Sequence, residues 1–291
     1  MRKVSNLRYL FIVNPKAGKG RFKKLIPLIK KEFPKNITYD IVISQFPGEA
    51  SDMIRRRFDE YDVFVAAGGD GTVNEVSAEL INSDKHLGLV AIGSGNGLAR
   101  ELGVPLNMRR ALKVLQKARP RIIDTIRMNT RTFINMAGVG IDATIARRFE
   151  GFGKRGIWPY IKIAPKTFFS YDPRNYDIRI DEKELNVKAY MVSIANTTQF
   201  GGGAHICPSA DPSDGLINIV VLKPFNYLRI PRMTYQLFTR RMEKSSAIDV
   251  YPGKEIIIKG TDLCAHIDGE PVELGDELNI SIIPGSISVL C

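Results

Sequence analysis

The sequence predicts an α/β domain followed by an antiparallel β domain, and three observations carry that prediction. Across the first ~120 residues, short apolar runs alternate with stretches whose apolar residues recur every three or four positions, as in a parallel α/β sheet. Three of those apolar runs end in a glycine-bearing loop with helical spacing behind it. From about Arg121 the pattern turns to strand-length runs separated by turn residues. The expected domains are therefore 1–120 and 121–291, with the C-terminal tail free to return to the first.

Tyr9–Val13 is a short apolar strand, and after it Phe22, Leu25, Ile26 and Ile29 take helical spacing. Asp40–Ile43 reads as the second strand and "PGEASDMIRRRF" as its helix. Val63–Ala67 is the third, with Val73, Val76, Leu80 and Ile81 on one face of the following helix. Leu87–Ile92 is the fourth, followed by "GSGNGLARELG". A helix beginning near Asn107 turns Ala111, Leu112 and Leu115 inward. In the second half "NYDIRIDEKELNVKAYMVSIAN", "GLINIVVLK", "KEIIIKG", "LCAHIDGEPVEL" and "ELNISIIPGSISVL" read as strands and turns. Helical interruptions are expected near Trp158–Phe169 and over Pro224–Ser245.

Composition narrows the class. The apolar runs are far shorter than the ~20 residues that span a bilayer, and the basic-then-apolar N-terminus meets Asn14-Pro15 without a small-residue cleavage site, as a first strand would. Cys207, Cys264 and Cys291 form neither a metal pattern nor a disulfide framework, which predicts a reducing cytosol. Forty-two basic residues against 31 acidic ones give +11. The basic clusters are dispersed and come with no nucleic-acid-binding motif, so nucleic acid is not the expected partner. His86, His205 and His266 lack ligand spacing and read as packed or surface residues.

The chemistry lies in the loops Asn14–Gly20 (NPKAGKG), Gly68–Thr72 (GGDGT) and Gly93–Gly97 (GSGNG). In an open parallel sheet, loops at the carboxyl ends of the strands gather along one edge, where ligands bind. Glycine lets backbone N–H groups approach an anion, and the helix behind adds donors and a partial positive charge. Together they predict a phosphate or nucleotide cradle, although NPKAGKG lacks the order of a Walker P-loop. Thr72 and Glu75 have the T-x-x-E spacing of a capping box. Asp70 implies an intervening Mg²⁺ or a role toward the attacking group, with a plain turn residue as the alternative.

These loops, with "GGGAHICPSADPSDGLINIV" and "HIDGEP", resemble the diacylglycerol kinase/sphingosine kinase family, particularly its bacterial lipid kinases, over almost the whole chain. The resemblance implies a phosphofructokinase/NAD-kinase-like α/β domain, a C-terminal antiparallel β-sandwich, and an active site between the two. It also implies transfer of the ATP γ-phosphoryl group to a lipid hydroxyl, of diacylglycerol or a sphingoid long-chain base. The ATP phosphates would lie against Gly69, Asp70, Gly71 and Thr72, with Asn74 and Glu75 supporting the loop. Asn14, Pro15 and Gly18 would lie beside them, and Ser44, Ser94 and Asn96 would line the nucleotide site. A structural Mg²⁺ is implied at Asp211, Asp214 and the Leu216 carbonyl, where the residues alone read as a turn. Asp124 matches an acidic position near the lipid and metal. Glu270 matches the general base, although "DGEP" alone reads as a hairpin turn. Asp268 is the second candidate, since it would face the same side as Glu270 if the chain were extended there.

One departure stands out. Diacylglycerol kinases of this family read G-T-x-N-D at the third loop, whereas this chain ends it in Gly97. That is closer to long-chain-base kinases, in which Asp124 could face a substrate amine. A soluble NAD kinase and a non-catalytic nucleotide-binding regulator are the alternatives. A kinase acting on lipid would sit peripherally at the inner face of the membrane. The basic, aromatic stretch Phe152–Phe169 is the candidate for contact with anionic lipid, or else packs on the sandwich. The oligomeric state is left open, a homodimer included.

Overall fold

The computed structural model describes residues 7–34, 36–150, 167–168, 170–261, 263–273 and 275–291. The chain divides into two compact units, Met1–Ile123 with Gly285–Cys291, and Asp124–Pro284. The first contains β1 (Tyr9–Val13), α1 (Phe22–Glu32), β2 (Tyr39–Ile43), α2 (Glu49–Arg56), β3 (Val63–Gly68), α3 (Asp70–Ala78), β4 (His86–Ala91), α4 (Gly97–Glu101) and α5 (Met108–Leu115). β5 (Pro120–Met128) leads into the second, which continues with β6 (Arg131–Phe133), β7 (Met136–Gly140), α6 (Ile141–Glu150), β8 (Arg174–Ile180), β9 (Lys183–Ala189) and β10 (Met191–Ala195). There follow β11 (Ile217–Leu222), α7 (Ile230–Phe238), β12 (Ile248–Gly253), β13 (Glu255–Lys259), β14 (Cys264–Ile267), β15 (Glu270–Glu273) and β16 (Glu277–Leu290).

In the first unit β1 and β3 are buried along their whole length, which is why their sequences are continuous apolar runs and not alternating ones. β1 pairs in parallel with β2 and β3, and β3 with β4. The register sets Val13 beside Ile43 and Ala67, and Gly68 beside Ala91, so all four strands end along one edge. Leu25 and Ile29 of α1 and Leu112 and Leu115 of α5 close the core over Tyr9, Phe11 and Val65. Asn107 caps α5 by accepting the Arg110 N–H at 3.1 Å, at the boundary the sequence predicts.

The last part of β16 adds a parallel strand beside β4. Ser288–Leu290 of β16 pairs in parallel with His86–Gly88 of β4, and the Ser286 carbonyl accepts the Asn82 N–H at 2.7 Å. His86 Nδ1 and Ser288 Oγ lie 2.7 Å apart. Burial holds the His86 imidazole below its ordinary 6.5, against the opposing pull of Asp62 and Asp84. Protonation therefore costs the folded state more than the unfolded one. The stability contribution is complete above the unfolded value and is lost as pH falls below it. The melting temperature is expected to drop less for His86→Gln than for the parent between about pH 7 and about pH 5. Equal slopes would remove His86 as the cause.

In the second unit β12-β11-β10-β7-β14-β15 form one antiparallel sheet. β9, β8 and β13 pair antiparallel in turn and continue onto the first part of β16. The inner faces meet in one core, with Ala137, Val139, Val192 and Ile194 from the first sheet and Tyr176, Ile178, Ile258 and Leu278 from the second. This is an antiparallel β-sandwich. β8 alternates exposed and buried residues as a strand with one wet face should. The helix expected over 224–245 is shorter than that span: α7 is flanked by single 3₁₀ turns at Tyr227–Arg229 and Met242–Lys244, and Arg240 takes a left-handed φ of 58° that stops it. β5, β6, β7 and α6 are elements for which the sequence analysis has no counterpart. Phe152–Phe169 lies outside the described residues except for Thr167 and Phe168, and Phe168 packs 4.7 Å from Tyr190 and 5.4 Å from Phe225 between ring centroids. Among the described residues no helix is long and apolar enough to cross a membrane.

Candidate functional site

The edge where β1 to β4 end carries the predicted loops of the first unit. The strand ladder runs on into them: Asn14 N–H donates to the Ala67 carbonyl, Ser44 N–H to Val13, and the Ile92 and Gly93 N–H groups to Gly68. Asn14 Nδ2 donates to Thr72 Oγ1 at 2.9 Å, and Asn14 Oδ1 accepts the Lys16 N–H at 2.9 Å. The first and second loops are thus joined through side chains.

Asp70 joins the second loop to the third. Its Oδ2 accepts the Asn96 N–H at 2.8 Å and its Oδ1 the Gly97 N–H at 2.7 Å. Asn96 can present its N–H this way because it sits in the left-handed region at φ 53°, with its amide donating to the Gly93 carbonyl at 2.9 Å. A Cβ on Gly95 would lie 2.6 Å from Asp70 Oδ2, so only glycine leaves the carboxylate its place. Burial pushes the Asp70 carboxyl above the usual range, and the N–H donors of Gly97 and Asn96 offset this only in part. The carboxylate standing in the GGDG turn is therefore a staple between two loops 26 residues apart.

The capping-box expectation for Thr72 and Glu75 is corrected here. α3 begins at Asp70 with Gly69 as its N-cap and no side-chain cap, so Thr72 lies inside the first turn and its hydroxyl serves Asn14 instead. Asn74 and Ser94 complete the edge differently: Asn74 Oδ1 is buried without a hydrogen-bond partner among the described residues, whereas Ser94 is exposed in the third loop.

The second unit holds the acidic loop and the hairpin. Asp211 Oδ1 accepts the Ser213 N–H at 3.0 Å and Asp214 Oδ1 the Leu216 N–H at 2.9 Å, the geometry of successive turns. Asp124 on β5 is 3% exposed, and its Oδ2 accepts the Gly215 N–H at 2.8 Å. Burial, then the charges of Asp211 and Asp124, push the Asp214 carboxyl above its usual range. An oxygen-only set with mutually repelling carboxylates suits a hard cation. Among the described residues no three His, Cys, Asp or Glu side chains are arranged to hold a metal ion, so carbonyls and water would have to complete the shell. Asp124 is thus tied to the acidic loop through the Gly215 N–H.

Asp268 and Gly269, with φ of 49° and 82°, form the two-residue turn between β14 and β15, and Glu270 opens β15 opposite Ile267. The local reading of a hairpin is right, and Glu270 stands exposed on it. Asp268 does not share a strand face with Glu270, because the chain is left-handed there and not extended. Its Oδ1 instead accepts the Met136 N–H at 3.0 Å.

A network absent from the sequence analysis supports this hairpin. His266 Nε2 lies 3.0 Å from Asp142 Oδ2, which also accepts the Ser193 hydroxyl at 3.3 Å, and the Gly269 N–H donates to His266 Nδ1 at 3.3 Å. A Cβ on Gly138 would lie 2.3 Å from Asp142 Oδ2, so glycine opens the space for the carboxylate. The partners lie 124 residues apart, and no local pattern signals their meeting. Asp142→Ala is expected to lower stability by about 1–3 kcal/mol by stranding buried donors. An unchanged denaturation midpoint would show that the network adds no stability.

A parallel sheet with interlocked glycine loops along one edge, and an antiparallel sandwich after it, define an α/β-plus-β protein with the loop arrangement of a phosphate cradle. Residues 8–128 match the diacylglycerol kinase catalytic domain, and 135–291 match the YegS C-terminal NAD kinase beta sandwich-like domain. The chain belongs to the diacylglycerol kinase family in its YegS form. It is 28% identical over 288 residues to the Salmonella arizonae protein named "Probable lipid kinase YegS", covering 96% of this chain and 94% of that one. A Pectobacterium atrosepticum protein named "Probable lipid kinase YegS-like" is 28% identical over 287 residues, with the same shares. A solved structure from Bacillus anthracis str. Sterne has the same fold, with a TM-score of 0.83, 24% identity and coverage of 99% of this chain and 96% of that one. A diacylglycerol kinase of the same strain gives 0.75 at 22% identity, over 97% and 96%.

Proposed function

We propose that this chain transfers the γ-phosphoryl group of ATP to the hydroxyl of a lipid. The observation that carries the reading is the edge of three interlocked glycine loops, in a chain whose relatives are named lipid kinases along nearly their whole length. The loop edge, Asn14–Gly18, Gly69–Thr72 and Ser94–Asn96, would surround the ATP phosphates, with the backbone N–H groups and dipole at the start of α3 facing them. Asn74 and Glu75 would support it from α3, and Ser44 would line the nucleotide site from the end of β2. Glu270 would accept the hydroxyl proton as the lipid oxygen attacks the γ-phosphorus and ADP departs. Asp211, Asp214 and the Leu216 carbonyl would hold Mg²⁺, braced by Asp124; a bound Mg²⁺ supplies charge neutralisation.

With Asp124 buried against the acidic loop, the reading favours a neutral lipid alcohol such as diacylglycerol over an amine-bearing long-chain base. The test is phosphoryl transfer from radiolabelled ATP with Mg²⁺ in mixed micelles. The acceptors would be diacylglycerol, monoacylglycerol, sphingosine, dihydrosphingosine and ceramide, with NAD⁺ in a parallel tube. Labelled, phosphorylated diacylglycerol is the expected product. A labelled sphingoid base would keep the lipid kinase and overturn its substrate, and label on NAD⁺ alone would overturn both.

A further inference from the structure

We propose that the outer face of α7, with the turn before it, is a docking surface for an anionic lipid bilayer. Leu228 is 87% exposed, Tyr235 59% and Phe238 50%, the largest run of exposed apolar side chains among the described residues of the second unit. They stand at helical intervals with Arg232 among them, four residues after Leu228 and three before Tyr235. The helix is already anchored through its other face, where Met233 and Gln236 are buried and Met233 and Leu237 join a core with Met191, Ile206 and Met242. Its outward side has no folding reason to be apolar.

Charge identifies the occupant. From Lys223 to Met242 the chain carries Lys223, Arg229, Arg232, Arg240 and Arg241 and no acidic residue. Lys223 pairs with Asp249 at 2.8 Å, Arg229 donates to the Ser246 hydroxyl at 2.8 Å, and Arg240 Nε donates to His205 Nε2 at 3.4 Å. Arg232 and Arg241 have no ion-pair partner among the described residues. A second copy docking through the same face would bring these cations against their own kind. A bilayer bearing acidic headgroups matches both the charge and the protruding Leu, Tyr and Phe side chains, as for helices that lie in a membrane interface.

The purpose of this surface rests on the lipid-kinase reading, but binding does not. The experiment is co-sedimentation of the full chain with vesicles of phosphatidylcholine alone or mixed with phosphatidylglycerol, at low and high salt, with gel filtration alongside. The parent is expected to bind the mixed vesicles and to be released by salt. A Leu228→Ser/Tyr235→Ser/Phe238→Ser variant should bind at least about tenfold more weakly. Arg232→Glu/Arg241→Glu should lose about fivefold or more per position and its preference for phosphatidylglycerol. Both variants should keep the parent's turnover on lipid dispersed in detergent micelles. Parent protein that ignores the vesicles, variants that bind like the parent, or a parent dimer that the triple variant dissociates would each overturn the proposal. A parent that binds vesicles yet labels no lipid would leave the surface intact and sink the kinase reading instead.

Discussion

Glu270→Gln is expected to lower turnover about 10²–10⁴-fold while leaving ATP affinity within a few-fold of the parent. The side chain is exposed at the first position of β15, so replacing one carboxylate oxygen by an amide disturbs no core contact. The turn that presents it is set by the left-handed residues Asp268 and Gly269 and by the Met136 backbone, which exchanges bonds with Asp268, and none of these depends on Glu270. An amide cannot accept the alcohol proton, so the loss should fall on the chemical step and not on nucleotide binding. Turnover within a few-fold of the parent would move the base elsewhere.

Asp70→Ala is expected to lower both stability, by about 2–6 kcal/mol, and turnover. The variant strands the Asn96 and Gly97 N–H groups at once, and each buried donor left without an acceptor costs about 1–3 kcal/mol. With the staple gone the third loop loses its position against the second. Misplacement on the scale of an ångström costs about 10²-fold in rate. The two readings of this residue separate cleanly in one pair of measurements. A fall in melting temperature together with turnover supports the staple. Lost turnover at an unchanged melting temperature would instead assign Asp70 a direct role toward metal or substrate.

Much of this was legible because it is local. The fully buried strands of the first unit announce themselves as unbroken apolar runs, since a strand covered on both faces has no polar side to alternate with. The loop glycines follow immediately, and the Asp268-Gly269 hairpin is visible from two residues. Where structure departs from local preference, a distant partner is the cause. T-x-x-E suggested a cap at Thr72, but α3 starts two residues earlier and Asn14, 58 positions away, takes the threonine hydroxyl. The hydrogen bond from the Gly215 N–H to Asp124, across 91 residues, is likewise a contact that no local pattern announces.

The sequence by itself determined the α/β-then-β architecture, the four strands of the first sheet and the glycine loops that follow three of them, because each depends on side chains within one or two turns of one another. Tertiary structure alone decided what those residues do. It made Asp70 a staple, buried the Asp142–His266 pair behind the hairpin, and returned the end of β16 to pair with β4. Each of these is a hydrogen bond between groups far apart in the chain, whose worth depends on burial that no local pattern encodes.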